Sequence, residues 1–468
     1  MKHSLSIILV GICIFQWMVT LSSCANMLPP SGGPRDSLPP RLVTALPKDS
    51  SVNVKTKNII LTFDEYVSLQ NTQENLIISP LLKNTPIIDF KLRNVTLKLK
   101  DSLEDNTTYS FNFGEAIRDV NENNIARDLT YVFSTGKTVD FNTFRGKVIL
   151  AENGKTDSSL LIVVLHKNLE DTAVLKEMPR YYTRLNGKGE FVFNNLPKGL
   201  YAVYVIEKGF SKKYDDSTKL FAFRNNPVNI GTYTLIDTLY AFNAYKHIEK
   251  KVSTTPLRVP GNNKIDNRLR YSMDLENGLQ DLLNNLTLTF NKKLTGFDSS
   301  KFALFDTSFR KLNDYSFTLD SSNTKIVLKH KWKEGNYFRL IIAKDAVSDS
   351  LGTTLNKTDT IRFNSKKEAD YGSIRLRFSN LDFSKNPVLQ IIQNEKLVES
   401  VPLTQNDFTR KRFRPGAYEL RILYDSNKNG VWDTGQFVGN KRQPEIVYLI
   451  PKQIAIRSNW DNEVTITL

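Results

Sequence analysis

Apolar and polar residues alternate along most of this 468-residue chain. Ile59, Leu61 and Phe63 alternate with Ile60, Thr62 and Asp64, and Tyr109, Phe111 and Phe113 alternate with Ser110 and Asn112. Phe191-Val192-Phe193 and residues 201–206 are short aromatic and β-branched runs, bounded by Asn-Gly, Lys-Gly and Pro-Lys-Gly turn signals. Successive side chains on a strand point to opposite faces. This period, with turns about every 8–12 residues, predicts an all-β chain of tandem β-sandwiches with one wet face per sheet. Helix-period spacing is confined to residues 271–286. There Met273, Leu275, Leu279, Leu282 and Leu283 suit either a helical turn or a loop packed on a sheet.

The pattern repeats. Asn58-Ile59-Ile60-Leu61-Thr62-Phe63-Asp64 returns as Asn285-Leu286-Thr287-Leu288-Thr289-Phe290-Asn291, 227 positions later. Tyr109 matches Tyr337 at a shift of 228. Glu115-Ala116-Ile117-Arg118-Asp119 matches Asp345-Ala346-Val347-Ser348-Asp349 at 230, and Tyr131-Val132-Phe133 matches Ile361-Arg362-Phe363 at the same shift. A second series interleaves with the first: Gly199 in Leu-Pro-Lys-Gly-Leu-Tyr matches Gly416 in Phe-Arg-Pro-Gly-Ala-Tyr at 217, and Tyr214-Asp215 matches Trp432-Asp433 at 218. The chain therefore reads A-B-A′-B′, with units at about 39–138, 142–245, 255–366 and 371–468.

Residues 1–23 have the order of a secretory signal: Lys2, an apolar stretch over 5–21, then small residues before a cysteine. Leu21-Ser22-Ser23-Cys24 resembles a bacterial lipobox, which implies cleavage and acylation at Cys24. An uncleaved transmembrane anchor is the alternative, but the stretch is short and holds Gln16 and several hydroxyl residues. Cys13 leaves with the signal, so the mature chain keeps one cysteine and forms no internal disulfide. Residues 24–38 are too rich in proline and glycine for a helix or central strand and read as a lipidated tether.

Unit A resembles the bacterial Ig-like domain of surface-layer proteins. The resemblance rests on Pro39-Pro40, Leu46-Pro47-Lys48-Asp49, the strand ending at Asp64, Thr108-Tyr109, residues 117–121 and the closing Tyr131-Val132-Phe133-Ser134-Thr135. Unit A′ lacks the proline-rich opening and carries Asn291 in place of Asp64, so it reads as a divergent copy. Residues 187–204 of unit B are similar to the transthyretin-like, carboxypeptidase-regulatory type of sandwich, and B′ is its repeat. Ser31-Gly32-Gly33-Pro34-Arg35-Asp36-Ser37 resembles the leader of Ig-like-domain lipoproteins of Bacteroidota. These resemblances imply spacer and binding modules.

The whole chain has 64 Lys and Arg against 49 Asp and Glu, a net charge of +15, of which Lys2 leaves with the signal. This suits a lysine-rich soluble surface or attraction to anionic headgroups or another acidic envelope polymer. Nucleic acid is not expected as a partner of an exported chain without a binding motif. Arg410-Lys411-Arg412-Phe413-Arg414 is the densest basic run, and alternation along a strand would put only part of it on one face.

Catalytic chemistry is sparse. His166, His247 and His330 are far apart, and no paired-cysteine, Walker-type or nucleophile-elbow motif occurs, so no catalytic residue is expected. One loop has cation chemistry: Asp425, Asn427, Asn429, Val431 (through its carbonyl) and Asp433 occupy positions one, three, five, seven and nine of an EF-hand-like order, with Gly430 at six. Gln436 stands where a bidentate glutamate would sit, so any Ca²⁺ site here is weak; the alternative is an Asn/Gly turn capped by its own side chains. Unit B has Lys208 to Asp215 in this place and lacks the ligands.

The reading that follows is a non-enzymatic structural or binding protein, anchored to the Gram-negative outer membrane by lipid on Cys24. The periplasmic face is favoured because Asp36 is the first acidic residue after the cysteine. Alternatives are an accessory subunit docked on an outer-membrane barrel protein, and a carbohydrate-binding array, for which Trp332, Trp432 and Trp460 are few and scattered.

Overall fold

The computed structural model describes residues 35–127, 129–157, 159–232, 236–245 and 267–468. Strands dominate them, and among these described residues the α-helical elements are the single turns Thr72–Asn75 and Ala173–Lys176. The stretch 271–286 is not helical. It forms strands Tyr271–Met273 and Leu279–Gln280 with turns between, and Met273, Leu275 and Leu282 pack onto the neighbouring core. Packing against a sheet gave those residues their spacing.

The duplication is visible strand by strand. In the first unit Leu42–Leu46, Asn58–Phe63, Asn94–Lys98 and Ile87–Lys91 lie side by side in that order. In the third, Tyr271–Met273, Leu286–Phe290, Lys325–His330 and Tyr315–Leu319 repeat it. The facing sheets, built on Thr108–Asn112 with Thr130–Ser134 and on Tyr337–Ile342 with Asp359–Ser365, correspond likewise. Alternation fills the space between them: Ile59, Leu61 and Phe63 meet Tyr109, Phe111 and Phe133, whose rings stack at 5.4 and 6.1 Å. Asp119 and Asp349 are also equivalent. Each is buried and accepts hydrogen bonds from backbone N–H groups of the loop that follows, Asp119 from residues 122–124 and Asp349 from Leu351 and Thr353. The Lys292 ammonium beside Asp349 and those N–H groups hold its carboxyl at about 2.

The second and fourth units share another topology. Glu190–Leu196, Asn142–Leu150 and Asp237–Ala241 form a three-stranded sheet whose last pair is parallel, as do Asp407–Phe413, Gly372–Ser379 and Asp461–Thr467. The facing sheets are Tyr181–Arg184, Leu161–His166, Gly199–Glu207 and Phe221–Phe223, and their counterparts Lys396–Pro402, Pro387–Gln393, Gly416–Tyr424 and Ile446–Leu449. Gly199 and Gly416 open equivalent strands at φ of 145° and 149°, a conformation that L side chains rarely adopt.

One expectation fails in this pair of units. Leu161–His166 is buried along its whole length, and so is nearly all of Gly199–Glu207; the central strands of this one sheet of unit B have no wet face. Its inner face holds Val163, Leu165, Tyr201, Val203 and Val205. Its outer face holds Ile162, Val164, Tyr204, Phe221 and Phe223, covered by Val174 and by Phe437 of the fourth unit. A sheet covered on both sides needs a continuous apolar run rather than an alternating one.

Candidate functional site

The units therefore do not stand in file; B docks on B′. The chain after Gly416–Tyr424 turns through 425–433 and sends 434–443 across the outer face of unit B. Phe437, 5% exposed, puts its ring 4.9 Å from Phe221, 5.1 Å from Phe223 and 5.7 Å from Tyr204. Gly435 lies flat on Phe242, and a Cβ there would come within 2.7 Å of that ring. The polar rim is matched too. Lys441 pairs with Asp171 at 2.6 Å, and Gln443 donates to the Phe223 carbonyl oxygen and the Asn225 side chain. In return, residues 151–155 of B meet the edge of B′: Val447 N–H donates to the Ala151 carbonyl oxygen, and Lys155 pairs with Glu419. The equivalent aromatics Tyr214 and Trp432 both reach this contact, Tyr214 stacked on Phe221 at 4.0 Å.

The loop proposed for Ca²⁺ is the stem of that docking segment. Asp425, 1% exposed, accepts from the N–H groups of Asn429 (3.3 Å) and Gly430 (2.7 Å). Asn427 and Asn429 accept from Asn429 N–H and Val431 N–H, and both side-chain amides donate to Asp433 at 2.6 and 2.8 Å. Val431 is exposed. Glu445, which spacing within the loop does not reveal, closes the turn by accepting from Ser426 N–H, Ser426 O–H and Asp433 N–H. These oxygens thus satisfy the turn's own donors, as Asx-type capping does. Among the described residues no group of three or more His, Cys, Asp and Glu side chains is placed to hold a metal ion. Cys24 and His247 lie outside the described residues.

His166 and His330 sit in different sandwiches, each against aromatic rings: Tyr204 for the first, Trp332 and Phe338 for the second. The basic run does not form one free patch. Arg410 pairs with Glu399, Arg412 with Glu368, and Arg414 with Asp281 of the third unit at 2.8 Å. Burial alone would raise the Asp281 carboxyl; the Arg414 guanidinium and the Leu283 N–H bring it below the ordinary range.

Units A and B are joined through Arg180, whose guanidinium donates to both Glu104 oxygens at 2.6 Å, while its carbonyl oxygen accepts from Leu81 N–H. That pairing holds the Glu104 carboxyl below its usual range. Glu104 is half exposed, so solvent screens the pair. A double-mutant cycle of Glu104→Gln and Arg180→Met, read by denaturant unfolding, is expected to give a coupling of about 1 kcal/mol that shrinks at high salt. Coupling that is zero, or unaffected by salt, would show that the two residues do not act as an ion pair.

No curated protein matches the chain at a significant level. Among solved structures it is similar to native alpha-2-macroglobulin from Escherichia coli, at 11% identity over 39% of this chain and 72% of that one, with a TM-score of 0.21. It is similar to the Bacillus anthracis TIE protein, at 11% over 94% and 75%, with a TM-score of 0.17. It is also similar to the major pilin subunit of Bacillus cereus, at 10% over 69% and 99%, with a TM-score of 0.16. Residues 36–135 match the family described as the Bacterial Ig-like domain, and the chain is all-β with tandem Ig-like sandwiches.

Proposed function

We propose that this chain is a non-enzymatic structural or binding protein of the Gram-negative cell envelope, held to the outer membrane by acyl chains on Cys24 and facing the periplasm. The observation that carries the reading is the use of the buried polar groups. Asp119, Asp349, Asp425 and Glu445 all cap loops, and the Arg180–Glu104 and Arg414–Asp281 ion pairs join one sandwich to the next. A bacterial Ig-like domain at 36–135, followed by sandwiches locked to one another, suits a scaffold better than a catalyst.

The anchor is tested at Cys24. Cys24→Ala is expected to abolish labelling by a palmitate analogue and to move the protein from the membrane fraction to the soluble one. A variant that stays in the membrane fraction removes the lipid anchor from this reading. Protease added to intact cells is expected to leave the parent protein whole, and digestion would place it on the cell surface instead.

A further inference from the structure

Units A and B enclose a cleft of about 660 Å³. One wall is the outer face of the sheet Glu190–Leu196, Asn142–Leu150 and Asp237–Ala241; the other comes from Ile77–Ser79 and Thr108–Asn112. Alternation along Asn142–Leu150 sends Phe144 and Val148 into the core and Arg145 and Lys147 to the cleft. Arg184 adds a third cation, positioned by a hydrogen bond of 3.3 Å to the Asn75 carbonyl oxygen. Among the described residues the one carboxylate in the lining is Glu190, which accepts from the Asn186 amide at 2.8 Å. Among the described residues no carboxylate lies within ion-pairing distance of Arg145 or Lys147.

The duplicate sheet shows how differently the same positions can be used. Lys147 lies opposite Glu190, and Arg377 lies opposite Asp407, which makes Arg145 the counterpart of Arg375. In the fourth unit Arg375 and Arg377 both pair with Asp407 and Glu463 from the flanking strands. Glu463 sits beside Arg375 in the parallel pair; beside Arg145 the parallel strand enters through Ile236. One copy neutralises its cations across the sheet, and the other leaves them facing a cleft.

We propose that the A–B cleft binds a short segment of an acidic polysaccharide, one whose sugar rings carry carboxylate or phosphate. The cations meet the acidic groups, and an arginine does so with two parallel hydrogen bonds. The other lining groups suit ring hydroxyls. Asn112 uses its side-chain oxygen to accept from Gly114 N–H, which leaves its amide protons to donate, and Ser110 lies beside it on the same strand. The volume is that of a small-ligand site, and such sites favour domain junctions. A bilayer surface cannot enter a cleft walled on two sides, whereas a single chain of sugar rings can. The site does not depend on the anchor at Cys24.

The test is calorimetric titration of the detergent-solubilised full chain with trigalacturonate, with 6-phosphorylated mannotriose and with neutral maltotriose. At least one charged sugar is expected to bind tenfold or more tightly than maltotriose, with affinity falling as salt rises. Arg145→Gln/Lys147→Gln is expected to weaken that binding roughly tenfold or more. Lys147→Gln alone, the milder change should the double variant unfold, is expected to weaken it to a lesser degree. Arg410→Gln/Lys411→Gln, far from the cleft, is expected to leave it unchanged. Which charged sugar binds tells carboxylate from phosphate. The proposal is overturned if neither charged sugar binds, if maltotriose binds as well, or if the cleft variants bind like the parent. Displacement of the sugar by vesicles of phosphatidylcholine and phosphatidylglycerol would also overturn it, by assigning these cations to a membrane.

Discussion

Replacing Phe437 with alanine is expected to uncouple unit B from unit B′ while leaving each sandwich folded. The ring fills a gap among Tyr204, Tyr214, Phe221 and Phe223, none of which belongs to the inner core of either sandwich. Truncating a buried phenylalanine costs about 3–5 kcal/mol, from lost burial and the cavity left behind. The loss falls on docking because the inner cores keep all their residues. Lys441, poised over both the Phe223 and Phe437 rings at 5.1 and 5.2 Å, loses a cation–π partner as well. The expected signature is thermal unfolding that splits into separate transitions, with a larger radius of gyration in solution. Phe210→Ala, a fully exposed ring, is expected to stay within about 0.5 kcal/mol of the parent. A Phe437→Ala protein that unfolds in one step at the parent's midpoint would mean that the B–B′ contact contributes nothing to stability.

That contact marks where sequence reading stopped. Period-2 alternation located the strands that face a sandwich interior, and Asn58–Phe63 and Leu286–Phe290 lie where the repeat puts them. The same rule failed for Leu161–His166, where consecutive apolar residues already signalled burial on both faces. The pattern says that a cover exists but not where it comes from. Here the cover is Phe437, more than 200 positions away, in a loop whose polar flanks look solvated. Glu445 was invisible for a related reason. Its place in the 425–433 turn is set by strand Ile446–Leu449 returning beside Gly416–Tyr424, not by spacing within the loop. The pairing of the arginines of 410–414 was not legible in the run itself, because their partners, Glu399, Glu368 and Asp281, come from separate stretches of chain. Local periodicity is written in neighbouring residues; long-range pairing is not. The cations of the A–B cleft stood out only once the folded duplicate showed Arg375 and Arg377 neutralised.

Stability is expected to fall as pH drops from about 6.5 to about 4, and most of the loss above about pH 5 should vanish when His166 is replaced. His166 closes strand Leu161–His166 and is 2% exposed, edge-on to Tyr204 at 5.8 Å, with no hydrogen-bond partner for Nε2 among the described residues. Burial in this apolar surround pushes its pKa down from 6.5 to about 4, against a smaller opposing pull from the Glu177 carboxylate. The unfolded chain takes up a proton near 6.5 and the folded chain only near 4, so between those values the unfolded state binds more protons. The contribution is therefore fully present above 6.5 and is lost as pH falls to about 4, by about 3 kcal/mol over that window. Carboxylates held low by hydrogen bonds, such as Asp349 at about 2, start to lose their own contribution once pH falls below about 5, so the His166 effect is read above that value. His166→Phe keeps an aromatic ring against Tyr204 and removes both the titration and the unpaired nitrogen. Chemical denaturation at closely spaced pH values should show the parent's stability sloping between about 5 and 6.5 and the variant's nearly flat there, both falling together below about 5. Parallel slopes in the two proteins would place the acid sensitivity elsewhere.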